Sequence, residues 1–556
     1  MRRTRAGMVI ALGVVVALTV AFVTAAGGWP WWTAAALLGW AGCEIALARV
    51  VPSFAAQVAD LGAGRAVRIA LSAVVIVLVA GRLTLTTGHL VGVATAVAVI
   101  VVLDLLSGAL DRYLLAVRRP PLMTSGLDLS GALPAASPSR LLARIDGVAC
   151  LAVVVVAVGL AITPNGAHSA RIAALTLAVA VVLAAVPVGV LAPRAFSARR
   201  THARARATSA AQAAVAGYAA QVVLYFAATP SELYQVRMWL EPLQRLDRRV
   251  AVVVRSHEVM DALGEVGVPV ICTPYSGLLA GLPFADPFVA LFVTHSGDNL
   301  PMLRRADART VFVGHGDSDK ADSANPFARV YDEVWVAGPL GRRRYSAETV
   351  GVADRAIVEV GRPQVARPRS APPARTTIVY APTWEGWGDD PHHSSLAWIG
   401  PSLVDALLAR GVQVRYRPHP LTGRRSEQLR LAHRRILDRI GQVPAEETLF
   451  QTFESASALI GDVSSVISEF LVFDRPYAVP DTRGLGPAAF HDRFPSTAGG
   501  MVITADLDGL DALLVAAADG PDATRTARRE LLADALGDPA TAQSRFADAV
   551  THLLAQ

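Results

Sequence analysis

The sequence has almost no lysine: Lys320 is the only one in 556 residues, and the other 51 basic side chains are arginine. A coding bias toward Ala, Val, Gly and Arg explains this most simply, and it leaves open why one position stayed lysine. Cysteine is also rare, and Cys43, Cys150 and Cys272 lie far apart. That spacing argues against a disulfide framework and against a thiolate metal site.

Charged residues are scarce as well, at 18% of the chain against 53% hydrophobic residues, and the apolar excess lies almost entirely before residue 195. Such a composition is too apolar for an ordinary soluble protein. Six stretches are long and apolar enough to span a bilayer, which takes about 20 residues. They are residues 7–26, 30–51, 67–86, 88–110, 147–163 and 172–193. The first is predicted to be an anchor and not a cleaved signal peptide, because five further spans follow it.

Arginines gather on one side of these predicted spans. They occur in the N-terminal MRRTR, in the second and fourth loops and in the tract Arg194–Arg206, whereas the opposite loops carry almost none. By the positive-inside rule, both termini are predicted to be cytoplasmic. We expect the tract to contact anionic lipid headgroups, where each arginine contributes about 1 kcal/mol. Because it directly follows a span, nucleic-acid binding is the weaker interpretation.

Two carboxylates, Glu44 and Asp104, fall inside predicted spans. Intramembrane carboxylates are candidates for transport or binding. Both lie near predicted span ends, however, where an interfacial position costs little. Residues 1–206 are therefore predicted to form an α-helical membrane domain of about six spans that acts as an anchor, with transport as the alternative.

The pattern changes from about residue 219, where short β-branched runs alternate with amphipathic segments, as in RVAVVVR followed by SHEVMDALGEVG. This alternation is typical of a parallel sheet flanked by helices. A proline- and arginine-rich linker at 361–377 interrupts the series, which then resumes. We predict two doubly wound α/β domains, a Rossmann-like domain at 207–360 and a second at 378–556 that ends in closing helices.

Ligands of such sheets bind beyond the carboxyl ends of the strands. Four polar motifs follow predicted strands here: HGDSDK, PTWEGW, RPHP and DVSS. In the last motif, Ser464 and Ser465 lie where a helix cap belongs, and Asp462 can fix the turn. Hydroxyls beside free helix N–H groups are typical of a phosphate site, although both serines could merely cap the helix. Arg417 and His419 offer cations at a strand end, with a structural loop histidine as the alternative.

His315 and Lys320 are predicted to face the same cleft from the other domain. A histidine near its working pKa suits a general base, and an ammonium suits the charge of a departing phosphate. His392 and His393 could be imagined as metal ligands, but their polar loop favours solvation, so no metal site is predicted.

These motifs resemble the CDP-glycerol glycerophosphotransferase family, which polymerises teichoic acid backbones. That family shows a His-Gly-Thr-Pro-Leu-Lys motif, then Gly-Tyr-Pro-Arg, Tyr-Ala-Pro-Thr-Trp-Arg, a His-Pro after a strand and Asp-Tyr-Ser-Ser-Val. The matching stretches, in the same order and at similar spacing, are HGDSDK (315–320), GRPQ (361–364), YAPTWEG (380–386), RPHP (417–420) and DVSSVISEFLVFDRPYAV (462–479). The membrane domain lies outside the resemblance.

The resemblance implies a GT-B architecture, a cytidine nucleotide donor and no cofactor or required metal. It implies that His315 is the base on the acceptor hydroxyl and that Lys320 closes the family motif. It further implies that His419, Ser464 and Ser465 bind the donor pyrophosphate, with Thr383 nearby. We therefore expect a membrane-bound enzyme that moves glycerol phosphate, or a similar phospho-alcohol, from CDP-glycerol to a lipid-linked envelope polymer and releases CMP.

Four residues depart from the family motifs, and each either adds a negative charge or removes a positive one. Asp317 and Asp319 add carboxylates, Glu385 replaces an arginine, and Gln364 replaces another. Another nucleotide-activated alcohol or sugar, or a less charged substrate, therefore stays open as the donor. The rival functions are a GT-B glycosyltransferase that uses a nucleotide sugar, and a transporter or sensor with a degenerate enzyme domain.

Overall fold

The computed structural model describes residues 2–50, 65–83, 86–118, 120–129, 148–162, 169–200, 202–320, 324–365, 375–386, 394–444 and 447–556. The chain divides into two compact units. The helical unit comprises Met1–Pro120 and Ser130–Ser209, and the α/β unit comprises Pro121–Leu129 and Ala210–Gln556.

The helical unit contains a helix at each of the six stretches predicted to span a membrane. These are α1 (Arg2–Ala26), α2 (Pro30–Val50), α3 (Arg65–Arg82), α4 (Thr87–Arg118), α5 (Val148–Ile162) and α6 (Ser169–Arg200). By length and composition, three described helices could cross a membrane, over Gly7–Ala26, Thr87–Leu114 and Arg171–Arg199. The arrangement of six spans stays a prediction.

Apolar side chains fill the interior of the helical unit and also cover its outer surface. Ala21, Leu37 and Trp40 are fully buried, whereas Val9 and Leu175 are 70% and 67% exposed. Helices that are hydrophobic on all sides are typical of an apolar surrounding, and large exposed apolar surfaces mark membrane contact in a chain of this composition. The pattern indicates association with a membrane.

Glu44 packs inside the helical unit, and its interfacial position stays a prediction. Its carboxylate is buried, at 4% exposure, and it accepts two hydrogen bonds from the Arg68 guanidinium, at 2.5 Å from Nε and 2.9 Å from Nη2. Asp104 is also buried, at 8% exposure. A bidentate ion pair offsets the cost of burying both charges, so Glu44 and Arg68 join α2 to α3 inside the bundle.

The first domain of the α/β unit is built on an eight-stranded sheet in the order β1-β4-β3-β2-β5-β6-β7-β8. Its strands are β1 (Met123–Ser125), β2 (Val222–Phe226), β3 (Val250–Val254), β4 (Val270–Cys272), β5 (Phe288–Phe292), β6 (Ala308–Phe312), β7 (Glu333–Val336) and β8 (Ile357–Glu359). All neighbours are parallel except β1 and β4. Continuous apolar runs such as VAVVV form these strands because helices cover both faces of a parallel sheet.

Helices connect the strands of the first domain, after α7 (Ala203–Tyr218) has led the chain into it. They are α8 (Tyr234–Gln244), α9 (His257–Leu263), α10 (Ser276–Ala280), α11 (Leu300–Leu303) and α12 (Pro339–Ser346). Trp239 of α8 lies in the core on one face of the sheet.

The second domain has a five-stranded parallel sheet in the order β10-β9-β11-β12-β13. The strands are β9 (Thr377–Ala381), β10 (Gln413–Tyr416), β11 (Ala458–Gly461), β12 (Tyr477–Pro480) and β13 (Met501–Ile503). The helices are α13 (Gly400–Ala409), α14 (Glu427–Ile440), α15 (Leu449–Glu454), α16 (Ser465–Phe470), α17 (Pro487–Arg493), α18 (Leu510–Ala517), α19 (Arg525–Leu536) and α20 (Ala542–Leu554). Two doubly wound domains of this kind form a GT-B-like α/β fold.

The last helix, α20, packs on the first domain, although the predicted boundary placed it in the second. Phe546, Val550 and Leu553 are buried in the same core cluster as Trp239. Their spacing forms one apolar stripe of a helix. The stripe was visible in the sequence, but a stripe does not tell which core it covers.

Strand β1 also departs from the predicted boundaries, because it lies in residues assigned to the membrane domain. Met123, Thr124 and Ser125 pair with Cys272, Ile271 and Val270 of β4 in antiparallel register. Leu122 is fully buried in the core of the first α/β domain. The α/β unit therefore needs residues 121–129, and a fragment starting at residue 207 lacks an edge strand.

We expect Met123→Cys to form a disulfide with the native Cys272 when membranes holding the full chain are oxidised. Directly opposed residues of an antiparallel pair have Cα atoms about 4.5–5.5 Å apart, within the range that a disulfide spans. Proteolysis between the two positions followed by non-reducing electrophoresis detects the link. Thr124→Cys is the matched control, because its side chain points to the other sheet face. Equal cross-linking of both variants would contradict this register.

Candidate active site

His315 follows β6 in a turn that glycines make possible. Gly314 and Gly316 have φ values of 61° and 152°, which side-chain-bearing residues rarely adopt. The Trp239 indole nitrogen donates to the Gly314 carbonyl at 2.8 Å and steadies the turn. The Nδ1 atom of His315 lies 2.7 Å from the Val293 carbonyl. Because a carbonyl only accepts, Nδ1 carries the proton, and Nε2 of the neutral ring is the basic nitrogen.

Burial lowers the pKa of His315, and it outweighs the Val293 carbonyl, which raises it. The nearby Arg362 guanidinium lowers the pKa further. Loss of hydration disfavours the charged imidazolium. The ring therefore stays neutral, and able to accept a proton, at pH values below its ordinary titration range.

Gly316 brings the two α/β domains into contact. A Cβ atom at Gly316 would lie 2.4 Å from Ser465 Oγ and 2.5 Å from Ser465 Cβ. Only a residue without a side chain allows this approach. The neighbouring Ser464 donates its hydroxyl to the Asp462 carbonyl at 3.1 Å. The HGDSDK turn of one domain thus lies directly against the DVSS turn of the other.

Lys320 reaches across to the second domain. Its Nζ donates to Thr383 Oγ1 at 2.8 Å, and the Thr383 backbone N–H donates to the Asp462 carboxylate, also at 2.8 Å. Asp462 accepts from the Ser395 N–H as well, at 3.1 Å. Burial raises the pKa of Asp462, while the Lys320 ammonium lowers it. Asp462 therefore fixes the turn that carries Thr383, and the only lysine of the chain lies in the middle of the predicted site.

His419 is held in the opposite tautomer from His315. The Leu421 backbone N–H donates to Nδ1 of His419 at 3.2 Å, so the proton of the neutral ring lies on Nε2. The Trp384 ring stacks on the imidazole, with centroids 5.8 Å apart and planes 16° from parallel. The Nε2 atom of His419 can therefore donate a hydrogen bond, whereas the Nε2 atom of His315 can accept a proton.

Arg417, whose binding to the donor phosphates stays a prediction, holds the segment around α15 with one of its guanidinium nitrogens. Nη1 donates to the Glu447 carbonyl at 3.0 Å and to Thr452 Oγ1 at 2.7 Å. Burial lowers the pKa of Arg417. Arg417 thereby holds the residues just before α15 and the helix itself in place.

The added carboxylates have structural partners. Asp319 accepts from Arg344 Nη2 and from the Ser496 backbone N–H, both at 2.6 Å. Asp317 accepts a long hydrogen bond, of 3.4 Å, from the Ala337 N–H. A count of charges along the sequence could not reveal these partners.

Glu385 accepts hydrogen bonds of 2.8–3.0 Å from the backbone N–H groups of Gly423, Arg425 and Ser426. Burial alone would raise the pKa of Glu385, but these N–H groups hold it below its usual value. Glu385 therefore closes the turn before α14.

The GRPQ stretch contains an arginine, Arg362, two positions before the place where the family motif has its arginine. Arg362 donates from Nη2 to the Glu469 carboxylate at 2.9 Å, and both side chains are buried. The same nitrogen lies 3.7 Å from a Cβ built on Gly316. Within the described residues, the buried amide of Gln364 has no hydrogen-bond partner. The site thus retains an arginine beside the base although Gln364 is neutral.

Sequence reasoning missed two residues near His315, the candidate base. Tyr234, the first residue of α8, contacts the rings of both His315 and His419 edge-on. His295 stacks on Phe312 at 3.9 Å, and burial lowers its pKa to about 4. Both residues follow predicted strands, and nothing else in the sequence indicated that they lie in the site.

Among the described residues, no group of three or more His, Cys, Asp or Glu could hold a metal ion. His392 and His393, which were predicted to be solvated, lie outside the described residues.

Residues 364–482 match the family described as CDP-Glycerol:Poly(glycerophosphate) glycerophosphotransferase. The match confirms the resemblance for the C-terminal part of the chain, which is an enzyme domain like the CDP-glycerol glycerophosphotransferases. It includes Thr383, His419, Ser464 and Ser465 but begins after the HGDSDK motif, which therefore lies outside it. No curated protein matches the chain.

Solved structures resemble part of this chain at low sequence identity. The wall teichoic acid polymerase TagF has 12% identity and a TM-score of 0.42, over 60% of this chain and 89% of that one. A putative UDP-N-acetylglucosamine 2-epimerase from Listeria monocytogenes has 9% identity and a TM-score of 0.41, over 60% and 97%. MnaA from S. aureus with UDP has 13% identity and a TM-score of 0.41, over 60% and 97%. Likeness at this level does not bear on substrate.

Proposed function

We propose that this protein, whose C-terminal part carries a CDP-glycerol:poly(glycerophosphate) glycerophosphotransferase domain, transfers glycerol phosphate from CDP-glycerol to a lipid-linked envelope polymer and releases CMP. One observation carries the proposal. His315 of one domain, whose Nε2 is basic, and His419 of the other, whose Nε2 can donate, both contact the Tyr234 ring, and a hydrogen bond from Lys320 to Thr383 joins the two domains beside them.

In the proposed reaction, Nε2 of His315 removes the proton of the acceptor hydroxyl. The oxygen attacks the β-phosphorus of the donor, and the bond between that phosphorus and the oxygen of CMP breaks. The new phosphodiester bond joins the glycerol phosphate to the acceptor, and CMP leaves with the bonding electron pair. Proton removal by a well-placed base contributes about 10²–10⁴-fold to a rate.

The donor phosphates would be bound from both domains. His419, Ser464 and Ser465 of the second domain offer an N–H and two hydroxyls, and Lys320 of the first domain supplies an ammonium. Preorganised donors and cations of this kind supply most of the catalysis of phosphoryl transfer. Asp462 would act indirectly, because its carboxylate holds the Thr383 and Ser395 backbone in place.

The charge departures do not favour a different donor. Asp319 is occupied by Arg344 and Ser496, and Glu385 is occupied by three backbone N–H groups. Arg362 keeps a guanidinium beside Gly316. These contacts support a doubly charged pyrophosphate donor, as in the family.

The protein would be a multi-pass protein of the cell membrane, with both termini and the α/β unit in the cytoplasm, where nucleotide donors are made. Two helices lead directly into the α/β unit: α4 ends at Arg118, shortly before Pro121, and α6 is followed by α7, which enters it. The carboxyl ends of α4 and α6 would therefore lie on the same side of the membrane. By the positive-inside rule, the arginine pattern supports a cytoplasmic location for that side of the membrane.

The acid limb of kcat/KM is expected below pH 6.5, the ordinary pKa of histidine. The base must be neutral, and burial lowers its pKa, so activity persists as the pH falls and is lost only through that lowered value. Measuring kcat/KM of the full chain from about pH 4.5 to pH 8 locates the limb. A limb at or above pH 6.5 would show that His315 is not the buried base.

A thermal-shift screen of the solubilised full chain tests the donor. We expect CDP-glycerol to raise the melting temperature more than CDP-ribitol, UDP-sugars or GDP-sugars. A ligand at a hundred times its dissociation constant adds about 2.7 kcal/mol to stability. The full chain is needed because residues 121–129 complete the sheet of the α/β unit. Stabilisation by a nucleotide sugar alone would favour the glycosyltransferase.

A further inference from the structure

Tyr234 lies between the two histidines of the site. Its ring centroid is 5.9 Å from that of His315 and 5.3 Å from that of His419, with interplanar angles of 85° and 83°. Edge-to-face contact at such distances is a preferred aromatic geometry. One phenol ring of the first domain therefore touches the candidate base of its own domain and the candidate phosphate ligand of the other.

The segment before Tyr234 is rigidly built. Pro230 starts a short 3-10 helix, and the Glu232 carboxylate accepts from the Thr229 backbone N–H at 3.2 Å and from the Thr229 hydroxyl at 2.7 Å. Tyr234 then begins α8, whose Trp239 holds the turn that carries His315. The phenol ring and His315 are thus anchored to the same helix.

His419 is fixed on its other sides. The Leu421 N–H holds Nδ1, and Trp384 stacks on the ring face. These contacts come from the second domain and set the orientation of the imidazole there. Among the described aromatic side chains, Tyr234 is the one that contacts both histidine rings.

The Tyr234 hydroxyl is a neutral group. Burial raises the pKa of Tyr234, so the phenol is not ionised near neutral pH. The Gln235 amide donates to the hydroxyl at 3.4 Å. A neutral ring at this place adds no charge that would compete with the donor phosphates.

We infer that Tyr234 is a positioning residue that holds His315 and His419 at a fixed separation across the cleft. It thereby sets the distance between the attacking acceptor hydroxyl and the donor phosphorus. The ring performs this role, and the hydroxyl does not. The inference rests on the proposed transfer reaction and adds a residue to it.

The kinetic test compares Tyr234→Phe with Tyr234→Ala in the full chain. Tyr234→Phe keeps the ring and should retain turnover close to wild type. Tyr234→Ala should lower kcat about 100-fold, the size of loss that a small misplacement of reacting groups produces, while the KM for CDP-glycerol changes far less. Tyr275→Ala removes a half-exposed tyrosine after β4 and serves as the matched control. Normal turnover in Tyr234→Ala, or equal losses in both Tyr234 variants, would overturn the inference.

A second test needs no substrate. Diethyl pyrocarbonate acylates neutral imidazoles, and peptide mass spectrometry reports each histidine separately. Tyr234→Ala should raise the modification rates of His315 and His419 together, severalfold, whereas Tyr234→Phe should match wild type. Unchanged rates, or a rise at one histidine alone, would show that Tyr234 does not separate the pair. If wild-type protein releases no CMP from CDP-glycerol, the proposed function fails, and this test still decides the role of Tyr234.

Discussion

Replacing His315 by alanine is expected to lower kcat about 10³-fold and to leave donor affinity close to wild type. The basic Nε2 of His315 acts on the acceptor hydroxyl, and loss of a positioned base costs about 10²–10⁴-fold. The ring is held by the Val293 carbonyl in its own domain. Steady-state kinetics together with a donor-binding measurement separates the two effects.

His419→Ala is the comparison for that experiment. His419 offers an N–H from the second domain, so its loss should weaken donor binding as well as turnover. The melting temperature of each variant checks folding. Equal loss of donor affinity in His315→Ala and His419→Ala would mean that the two roles are assigned wrongly.

Replacing Lys320 by methionine is expected to lower turnover about 10³-fold, the lower range for removing a cation that stabilises charge in phosphoryl transfer. Lys320→Arg should fold normally yet lose at least about tenfold, or 1.4 kcal/mol of transition-state binding. Lysine is a compact charge, whereas arginine is a wide planar fork that needs different room. Nζ of Lys320 lies 2.8 Å from Thr383 Oγ1, and a guanidinium that kept this hydrogen bond would place its charge and its other N–H groups differently.

Arg355→Lys is the matched control for the Lys320 variants, because Arg355 is exposed on the surface. It should have wild-type turnover. Steady-state rates on one donor, with the melting temperature as a check of folding, make the comparison. Wild-type activity in Lys320→Arg would mean that the only lysine of the chain survived by chance.

The sequence was sufficient to predict the α/β architecture and the helices of the first unit, because long apolar runs and strand–helix alternation have clear periods. It also predicted that His315, Lys320, Thr383 and His419 lie near one another, because each follows a strand and parallel strands end at the same edge. In the structure Lys320 contacts Thr383, and Tyr234 contacts both histidines.

Three features had no such signal. A three-residue strand such as β1 has too few residues to show a period, so its pairing with β4 depends on tertiary contacts. The sequence shows that Asp319 and Glu385 carry charges, but it does not show which groups their carboxylates contact. In the structure both carboxylates accept hydrogen bonds from groups of the protein. Tyr234 at a helix start looks like an ordinary core residue until the other domain is folded against it.

The most direct test of the central claim is to identify the nucleotide that the full chain releases. Membranes holding the protein are incubated with CDP-glycerol labelled in the glycerol and with a lipid-linked acceptor, and the soluble and lipid fractions are analysed. We predict that CMP appears in step with labelled glycerol phosphate on the acceptor, and that His315→Ala abolishes both. Release of a nucleoside diphosphate, or label transferred without phosphate, would contradict the account.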